Sequence, residues 1–573
     1  MSAPRHRACS PAECAAALGR FARRAAARAL AAVLAAAPAS AQERGTEWRD
    51  ADRRDGPAAI LAALPAGTTH RSERAALRDG VELATEIFLP PGGGPWPAVL
   101  MRTPYGRFNT AGYAGRLNGA AVAFVTQDPR ADGDSGGPGT MSPADSENEM
   151  ADGWDAVEWV ARQPWCNGRV AMIGGSGHGL CACMAWLAGP SHLVAANPGN
   201  TAGNVALDWA FENGVRRFNY RWLSHRGEAV QEWPKPTLTG YDAAGWEARM
   251  RAAGTNSAAV FVVGDGWFNI FGDANLRWFE ALAPTRRIFV TMGPGAHGKA
   301  EGLDFARAAR GPRPATEPVP PFLELLAGRE APSKSQLIYF MLGDVNDPAA
   351  PGNRWFATDV WPVPCEPAAW YLTAEGGLVG AAPSSADGAA AYAYDPRDPA
   401  PTIGGHHFYS GHPSGALDQR PLLGRPDVLR FATGPLAAPV AMTGRAVAEL
   451  YLSADVPDTT FILKLVDVYP DGYEALIRET AFMARYRDGL DRPAPLEPGR
   501  VYRVALPLAA TSIAFNAGHR MALYVTGSST PAYEVHPNTW EPAMSFDASP
   551  VAHVTVHASA ARPSRLVLPT VRP

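Results

Sequence analysis

The sequence predicts a doubly wound α/β core followed by an all-β domain. From about residue 60 to 360, short apolar runs alternate with helical patterns, which is typical of a parallel sheet covered on both faces. After about residue 365, helical patterns are nearly absent, and Pro, Gly and Asp separate short alternating runs. The chain has 573 residues, too many for one ordinary domain, and its 46% hydrophobic residues can fill large cores.

Residues 1–41 are predicted to be an export signal. Four arginines between positions 20 and 28 precede an apolar stretch at 29–37, and Ala39-Ser40-Ala41 fits a cleavage site before Gln42. The apolar stretch is too short to span a bilayer. The alternative is an alanine-rich amphipathic helix that stays in the mature chain. We therefore expect a periplasmic or secreted protein.

Six apolar runs are predicted to be strands of the core, and two stretches between them are predicted to be helices. The strands are 96–101, 121–126, 169–173, 258–263, 287–292 and 337–342, and the helices are 152–163 and 180–187. Residues 201–255 interrupt this alternation and are rich in Trp, Arg and Glu, so we expect a helical cap there. The cap divides the core into residues 60–200 and 256–360.

Residues 365–573 are predicted to form the β domain, a sandwich or jelly roll. The runs 446–453 and 521–526 are short or alternating, as in strands of such folds.

Charge and cysteine content exclude several classes of function. A net charge of -4 gives no electrostatic reason to bind nucleic acid or an anionic membrane. Beyond the predicted signal, four cysteines remain, too few for a disulfide scaffold, although a Cys166–Cys365 bridge stays open.

His178 and the pair His406-His407 belong to no motif, and we interpret them as structural or surface residues. No metal-ligand motif such as HExxH is present, so we expect no metal and no cofactor.

Residues 173–179 (IGGSGHG) follow a predicted strand and begin a predicted helix. This order is typical of a nucleophile elbow, in which small neighbours let a serine sit on a sharp turn. Ser176 is then the candidate nucleophile, and the N–H of Gly177 is a candidate oxyanion donor. The strict G-x-S-x-G pattern is not met because position 178 is His, so an ordinary strand–helix turn stays open.

Further motifs complete a resemblance to a known family. Residues 102–105 read RTPY, 128–137 read DPRADGDSGG, 152–170 lead into the elbow, 266–269 read GWFN and 293–298 read GPGAHG. In the β domain, 394–405, 418–431 and 515–520 add matches. In this order, over residues 70–565, the chain resembles the cocaine-esterase-like hydrolases (CocE/NonD type), kin to X-Pro dipeptidyl-peptidases and α-amino-acid ester hydrolases.

The resemblance implies an α/β-hydrolase core with a helical cap insertion and a C-terminal jelly roll of the galactose-binding-like kind. It also implies roles: Ser176 as nucleophile, His297 as general base and then acid, and the Tyr105 hydroxyl as oxyanion donor beside Gly177. The family's triad acid falls at position 269. A serine hydroxyl does need a neighbouring imidazole, and a phenol can donate to a developing oxyanion.

Two positions depart from the family pattern. Asn269 stands where the family has Asp; an amide can favour the wrong imidazole tautomer and carries no charge to stabilise the imidazolium. Asp265 and Asp273 lie nearby in the sequence and are alternative acids. Gly177 stands where the family has an aromatic residue, which we expect to enlarge or reshape the acyl pocket.

These observations predict a serine hydrolase that cleaves an ester or amide through an acyl-enzyme. Candidate substrates are small acyl esters, α-amino-acid esters, β-lactam side-chain amides and short peptides with Pro in second place. Peptides of that kind need an acidic site for their N-terminal amine, for which Asp208, Glu212 and Glu228 are candidates. The alternative is a catalytically weakened relative that binds a ligand, because position 269 is Asn. The expected partner is a small molecule, with neither nucleic acid nor membrane involved.

Overall fold

A computed structural model of the chain describes residues 66–138, 146–217, 258–313, 322–407, 412–541 and 545–572, with a few isolated positions between them. The predicted export signal, residues 1–41, lies outside the described residues, as does most of the predicted cap. Among the described residues, no helix combines the length and the hydrophobicity that crossing a bilayer requires.

The first part of the chain is built on a large mixed sheet. The described strands of this part of the chain are β1 Thr69–Ala76, β2 Glu82–Leu89, β3 Trp96–Arg102, β4 Ala123–Gln127, β5 Cys166–Gly175, β6 Leu193–Gly199, β7 Phe211–Glu212, β8 Val215–Arg216, β9 Val260–Phe268, β10 Ile288–Ala296, β11 Glu301–Gly302, β12 Gln336–Met341 and β13 Arg354–Thr358. Ten of them form the sheet, in the order β1-β2-β4-β3-β5-β6-β9-β10-β12-β13. The strands from β4 to β12 in this order run parallel, and β1, β2 and β13 are antiparallel additions at the two edges.

Helices pack on the faces of this sheet. They are α1 Tyr113–Gly119, α2 Ser146–Ala161, α3 Gly177–Ala188, α4 Gly272–Leu282 and α5 Phe322–Leu326. The predicted helices overlap α2 and α3, and the six predicted strands overlap β3, β4, β5, β9, β10 and β12. The α/β-hydrolase core is therefore confirmed.

The segment predicted as a helical cap begins with a short helical turn and a hairpin. Residues Val205–Ala210 form a π-helical turn, and β7 and β8 after it form a two-stranded hairpin. Residues 218–244 lie outside the described residues.

The second part of the chain is almost entirely β-structure. Its described strands are β14 Glu366–Leu372, β15 Leu378–Val379, β16 Ala389–Tyr394, β17 Gly415–Ala416, β18 Val428–Ala432, β19 Val440–Gly444, β20 Val447–Ala454, β21 Thr460–Val468, β22 Glu474–Met483, β23 Tyr502–Pro507, β24 Thr511–Phe515, β25 Arg520–Thr526, β26 Ala552–Ser559, β27 Arg562–Pro563 and β28 Arg565–Val571. A ten-stranded sheet contains β15-β14-β28-β20-β26-β16, and a four-stranded sheet has the order β18-β25-β21-β22. Apolar residues of both sheets pack in one core.

The β domain contacts the α/β core directly behind the loop that follows β9. The buried Arg478 of β22 donates through its guanidinium to the carbonyl oxygen of Trp267. Arg445 pairs with Asp273 of α4 across 3.0 Å. The two parts therefore share an interface that includes the backbone two residues before Asn269.

The four described cysteines are free thiols. Cys166, Cys181 and Cys183 are buried, and Cys365 is exposed. The Cys166–Cys365 bridge that the sequence left open is absent from the structure.

Candidate active site

Ser176 lies on a sharp turn between β5 and α3. Its backbone has φ +55° and ψ −124°, a conformation that a residue with a side chain rarely adopts. Neighbouring glycines make the turn possible: a β-carbon at Gly174 would lie 2.5 Å from the backbone carbonyl carbon of His178. A β-carbon at Gly179 would lie 2.7 Å from Thr201 Cγ2. This is the geometry of a nucleophile elbow.

Tyr105 follows β3 and reaches the serine from the neighbouring strand. Its hydroxyl lies 3.4 Å from Ser176 Oγ, and the N–H of Gly177 donates to the same hydroxyl oxygen across 3.1 Å. Burial raises the pKa of Tyr105, so the phenol is neutral and can donate its proton. The ring of His178 packs edge-on against it at 4.8 Å. The structure thus brings both predicted oxyanion donors to Ser176.

The space beside Gly177 is filled rather than open. A β-carbon at position 177 would lie 2.7 Å from Tyr105 Oη and 2.9 Å from Pro104 Cγ. Of the two expected effects of glycine here, enlarging or reshaping the acyl pocket, the structure shows no open space on this side of the serine. The missing side chain of Gly177 instead lets Tyr105 approach the turn.

His297 and Asn269 directly follow two adjacent parallel strands, β10 and β9. Their carboxyl ends meet at the same sheet edge, and His297 Nδ1 lies 3.3 Å from Asn269 Oδ1. Burial lowers the pKa of His297 to about 4, so the imidazole is neutral at physiological pH. The ring of Phe271 packs against the imidazole at 5.7 Å.

The amide of Asn269 also contacts Asp265, which lies within β9. Asn269 Nδ2 donates to Asp265 Oδ1 across 2.8 Å, and to Asn200 Oδ1 across 3.3 Å. The same carboxylate accepts from the N–H of Gly266 and from Asn275 Nδ2, both at 2.7 Å. Burial raises the pKa of Asp265 to about 7.

The other alternative acid, Asp273, has a different role. It pairs with Arg277 across 2.6 Å and with Arg445 across 3.0 Å, and it accepts the N–H of Ala510. Although burial opposes it, the charge of Arg445 and then that of Arg277 hold the pKa of Asp273 below its usual value. Asp273 thus belongs to the interface with the β domain.

The two described candidates for an amine-binding carboxylate, Asp208 and Glu212, are engaged in ion pairs within the protein. Asp208 pairs with Arg277, and Glu212 pairs with Arg217 across 3.0 Å and accepts from the Tyr533 hydroxyl. Glu228 lies outside the described residues.

Sequence reasoning overlooked two features of this site. Asn200, directly after β6, accepts a hydrogen bond from Asn269. Its φ of +47° marks a tight turn that a single Asn in the sequence does not predict. Of the three histidines interpreted as structural or surface residues, His406 and His407 are buried and His178 is half-buried, and the contact of His406 with Glu212 at 3.5 Å could not be foreseen. In the part of the chain that the structure describes, no three His, Cys, Asp or Glu side chains form a group able to hold a metal ion.

Comparisons with known proteins match both parts of the chain. Residues 79–245 match the X-Pro dipeptidyl-peptidase (S15 family) model, and residues 333–567 match that of the X-Pro dipeptidyl-peptidase C-terminal non-catalytic domain. The chain is 27% identical to a cocaine esterase of Rhodococcus sp. (strain MB1 Bresler), over 87% of this chain and 97% of the relative.

Two solved structures are similar to this chain over most of its length. An α-amino acid ester hydrolase is 25% identical with a TM-score of 0.71, over 88% of this chain and 97% of that one. An aminopeptidase from the marine sediment archaeon Thaumarchaeota archaeon shares the fold, at 24% identity and a TM-score of 0.70, with the same coverage of both chains.

Proposed function

Because this chain belongs to the CocE/NonD-type serine hydrolases, we propose that it hydrolyses carboxylic esters through an acyl-enzyme on Ser176. One observation carries the proposal. Ser176 lies at φ +55° on the strand–helix turn, with the Tyr105 hydroxyl 3.4 Å from its Oγ. A strained turn that presents a serine hydroxyl to an oxyanion donor is what acyl transfer requires.

The proposed reaction has two halves. His297 Nε2 accepts the proton of Ser176 as Oγ attacks the ester carbonyl, and Asn269 Oδ1 accepts the Nδ1–H of the ring. The oxyanion accepts from Tyr105 O–H and Gly177 N–H. Collapse expels the alcohol, which takes the proton from His297 and leaves an acyl-Ser176 ester. Water then gives a proton to His297 and attacks the acyl carbonyl; the bond from the acyl carbon to Ser176 Oγ breaks, Oγ takes the proton back from His297, and the carboxylic acid leaves.

The ion pairs of the two described amine-site candidates support esters over N-terminal peptides. A carboxylate that binds a substrate ammonium must exchange water for that ammonium on binding, whereas Asp208 and Glu212 already hold arginines. Both are also buried. We therefore propose acyl groups without an α-ammonium as the preferred substrates.

A fluorophosphonate probe tests the nucleophile. We expect it to modify Ser176 alone, shown by peptide mapping, with Ser176→Ala as the unreactive control. A label on another residue, or none on the folded protein, would refute the assignment and favour the ligand-binding alternative.

A matched substrate panel tests the acyl group. It contains p-nitrophenyl esters of a simple acid and of the corresponding α-amino acid, together with an X-Pro anilide. We expect kcat/KM to be highest for the simple ester. A preference for the α-amino ester or the X-Pro anilide would contradict the proposed substrate class.

A further inference from the structure

The side-chain amide of Asn269 lies between an imidazole and a carboxylate. Its oxygen faces His297 Nδ1 at 3.3 Å, and its nitrogen faces Asp265 Oδ1 at 2.8 Å. Asp265 is held in turn by the N–H of Gly266 and the amide of Asn275. The three side chains therefore form a continuous hydrogen-bonded row, His297–Asn269–Asp265.

The carboxylate fixes which way the amide points. An ionised carboxylate only accepts hydrogen bonds, so the Asn269 NH₂ group must face Asp265 and its oxygen must face His297. Asn200 Oδ1, a second acceptor, lies 3.3 Å from the same nitrogen and reinforces this orientation. A ring nitrogen that faces a carbonyl oxygen must carry the proton. His297 is then protonated on Nδ1 and keeps Nε2 as the base.

We infer that Asp265 is a positioning residue of the active site, which sets the tautomer of His297 and stabilises its charged form through the amide of Asn269. The inference rests on the proposed function. Asn in place of the triad Asp is costly when its NH₂ group faces the imidazole, because the ring then takes the wrong tautomer. Here the carboxylate engages that NH₂ group, and its charge polarises the amide oxygen toward the imidazolium. The negative charge that a triad Asp would place beside the imidazole lies one side chain further away here, on Asp265.

The surroundings of Asp265 allow it to be ionised at working pH. Its carboxylate accepts three N–H groups, and the charge of Arg478, on β22 of the β domain, also favours its ionised form. Burial opposes ionisation and raises its pKa to about 7, well above that of His297 at about 4. Activity should therefore rise as pH increases through about 7, because only the ionised Asp265 supplies the negative charge that polarises the Asn269 amide toward the imidazolium.

The test compares three variants with the wild-type protein. In Asp265→Asn, the amide at 269 can turn its NH₂ group toward the imidazole, and we expect kcat to fall by about 10²-fold or more with little change in KM. In the double variant Asp265→Asn with Asn269→Asp, a carboxylate contacts His297 directly, and we expect kcat to return to within about tenfold of wild type. Asp273→Asn, which removes a half-buried carboxylate that pairs with Arg277 and Arg445, should lower thermal stability and leave the pH profile unchanged.

The pH dependence of kcat/KM separates positioning from structural support. The kcat/KM of the wild type should fall below about pH 7, which gives its pH profile an acid limb. The Asp265→Asn variant should have no such limb, and its lower kcat/KM should persist to more acidic pH. An Asp265→Asn variant with unchanged kcat and an unchanged acid limb would overturn the inference. If that variant does not fold, failure of the folded double variant to recover activity would overturn it as well.

Fluorophosphonate labelling distinguishes this failure from failure of the proposed function. A wild-type protein that the probe does not modify would refute the nucleophile, and with it the role of Asp265. A wild-type protein modified at Ser176, together with an Asp265→Asn variant modified equally fast at every pH, would refute the role of Asp265 alone.

Discussion

The backbone N–H of Gly177 donates to the hydroxyl oxygen of Tyr105 across 3.1 Å. The same hydroxyl lies 3.4 Å from Ser176 Oγ. The two proposed oxyanion donors are thus already beside each other and beside the nucleophile before a substrate binds. When charge develops on the carbonyl oxygen, the Gly177 N–H must exchange the Tyr105 oxygen for the substrate oxygen, and the Tyr105 O–H must turn from Ser176 Oγ to the same oxygen.

Tyr105→Phe removes one of these donors and keeps the ring. We expect kcat to fall by about 10²–10³-fold, the usual loss for one oxyanion donor, with KM little changed. Steady-state kinetics on a p-nitrophenyl ester measure this, with Tyr113→Phe on α1 as a matched control. An unchanged kcat would move the donor role to another group.

Gly177→Ala tests how closely Tyr105 approaches the turn. Its new methyl group would lie 2.7 Å from Tyr105 Oη and must displace the hydroxyl. We expect kcat to fall by about tenfold or more, since displacement weakens an oxyanion donor. At Gly175 a methyl group would meet only the carbonyl oxygen of Gly199, at 3.7 Å, so Gly175→Ala should have a smaller effect. Equal kinetics for the two variants would contradict this explanation.

The strands of the α/β core that could be predicted from the sequence are mostly buried on both sides. β3, β9 and β12 are continuous apolar runs because helices or the β domain cover them. β6 escaped prediction because it ends in Asn-Pro-Gly, which reads as a turn. β1 escaped because it is a largely exposed edge strand with charged residues.

The site shows a similar division. Ser176, Tyr105, His297 and Asn269 could be found because each lies in a motif directly after, or shortly after, a strand. The sequence placed both Asp265 and Asp273 near Asn269 and could not choose between them. In the folded protein, Asp265 faces the Asn269 amide and Asp273 pairs with Arg445. Arg445 and Arg478 come from the β domain, far along the sequence, so their effect on the two carboxylates could not be predicted.

Export is a proposal that rests on the first 41 residues. The mature protein in the periplasm or medium should begin at or near Gln42, because Ala39-Ser40-Ala41 fits the cleavage pattern. N-terminal sequencing of the fractionated protein measures this. A cytoplasmic protein that begins before Arg20 would contradict it.

His519 connects the β domain to the α/β core through two carboxylates. Its Nδ1 lies 2.9 Å from Asp467 of β21, and its Nε2 lies 3.2 Å from Asp344, which follows β12. The ring of Tyr469 packs against it at 4.4 Å. Burial alone would lower the pKa of His519, but the hydrogen bond and charge of Asp467, and the charge of Asp344, raise it above 6.5.

This pair of contacts predicts a loss of stability toward alkaline pH. Since the pKa of His519 is higher in the folded state, its contribution is fully present below about pH 6.5 and is lost as pH rises through the folded value. His519→Gln removes the positive charge and leaves two buried carboxylates without it, so we expect a loss of about 3–5 kcal/mol at pH 6. The loss should shrink as pH rises through the folded pKa of His519, because the wild-type imidazole then loses its charge. Urea unfolding of both proteins at pH 6 and pH 9 measures the difference, and an equal loss at the two pH values would show that His519 acts by packing alone.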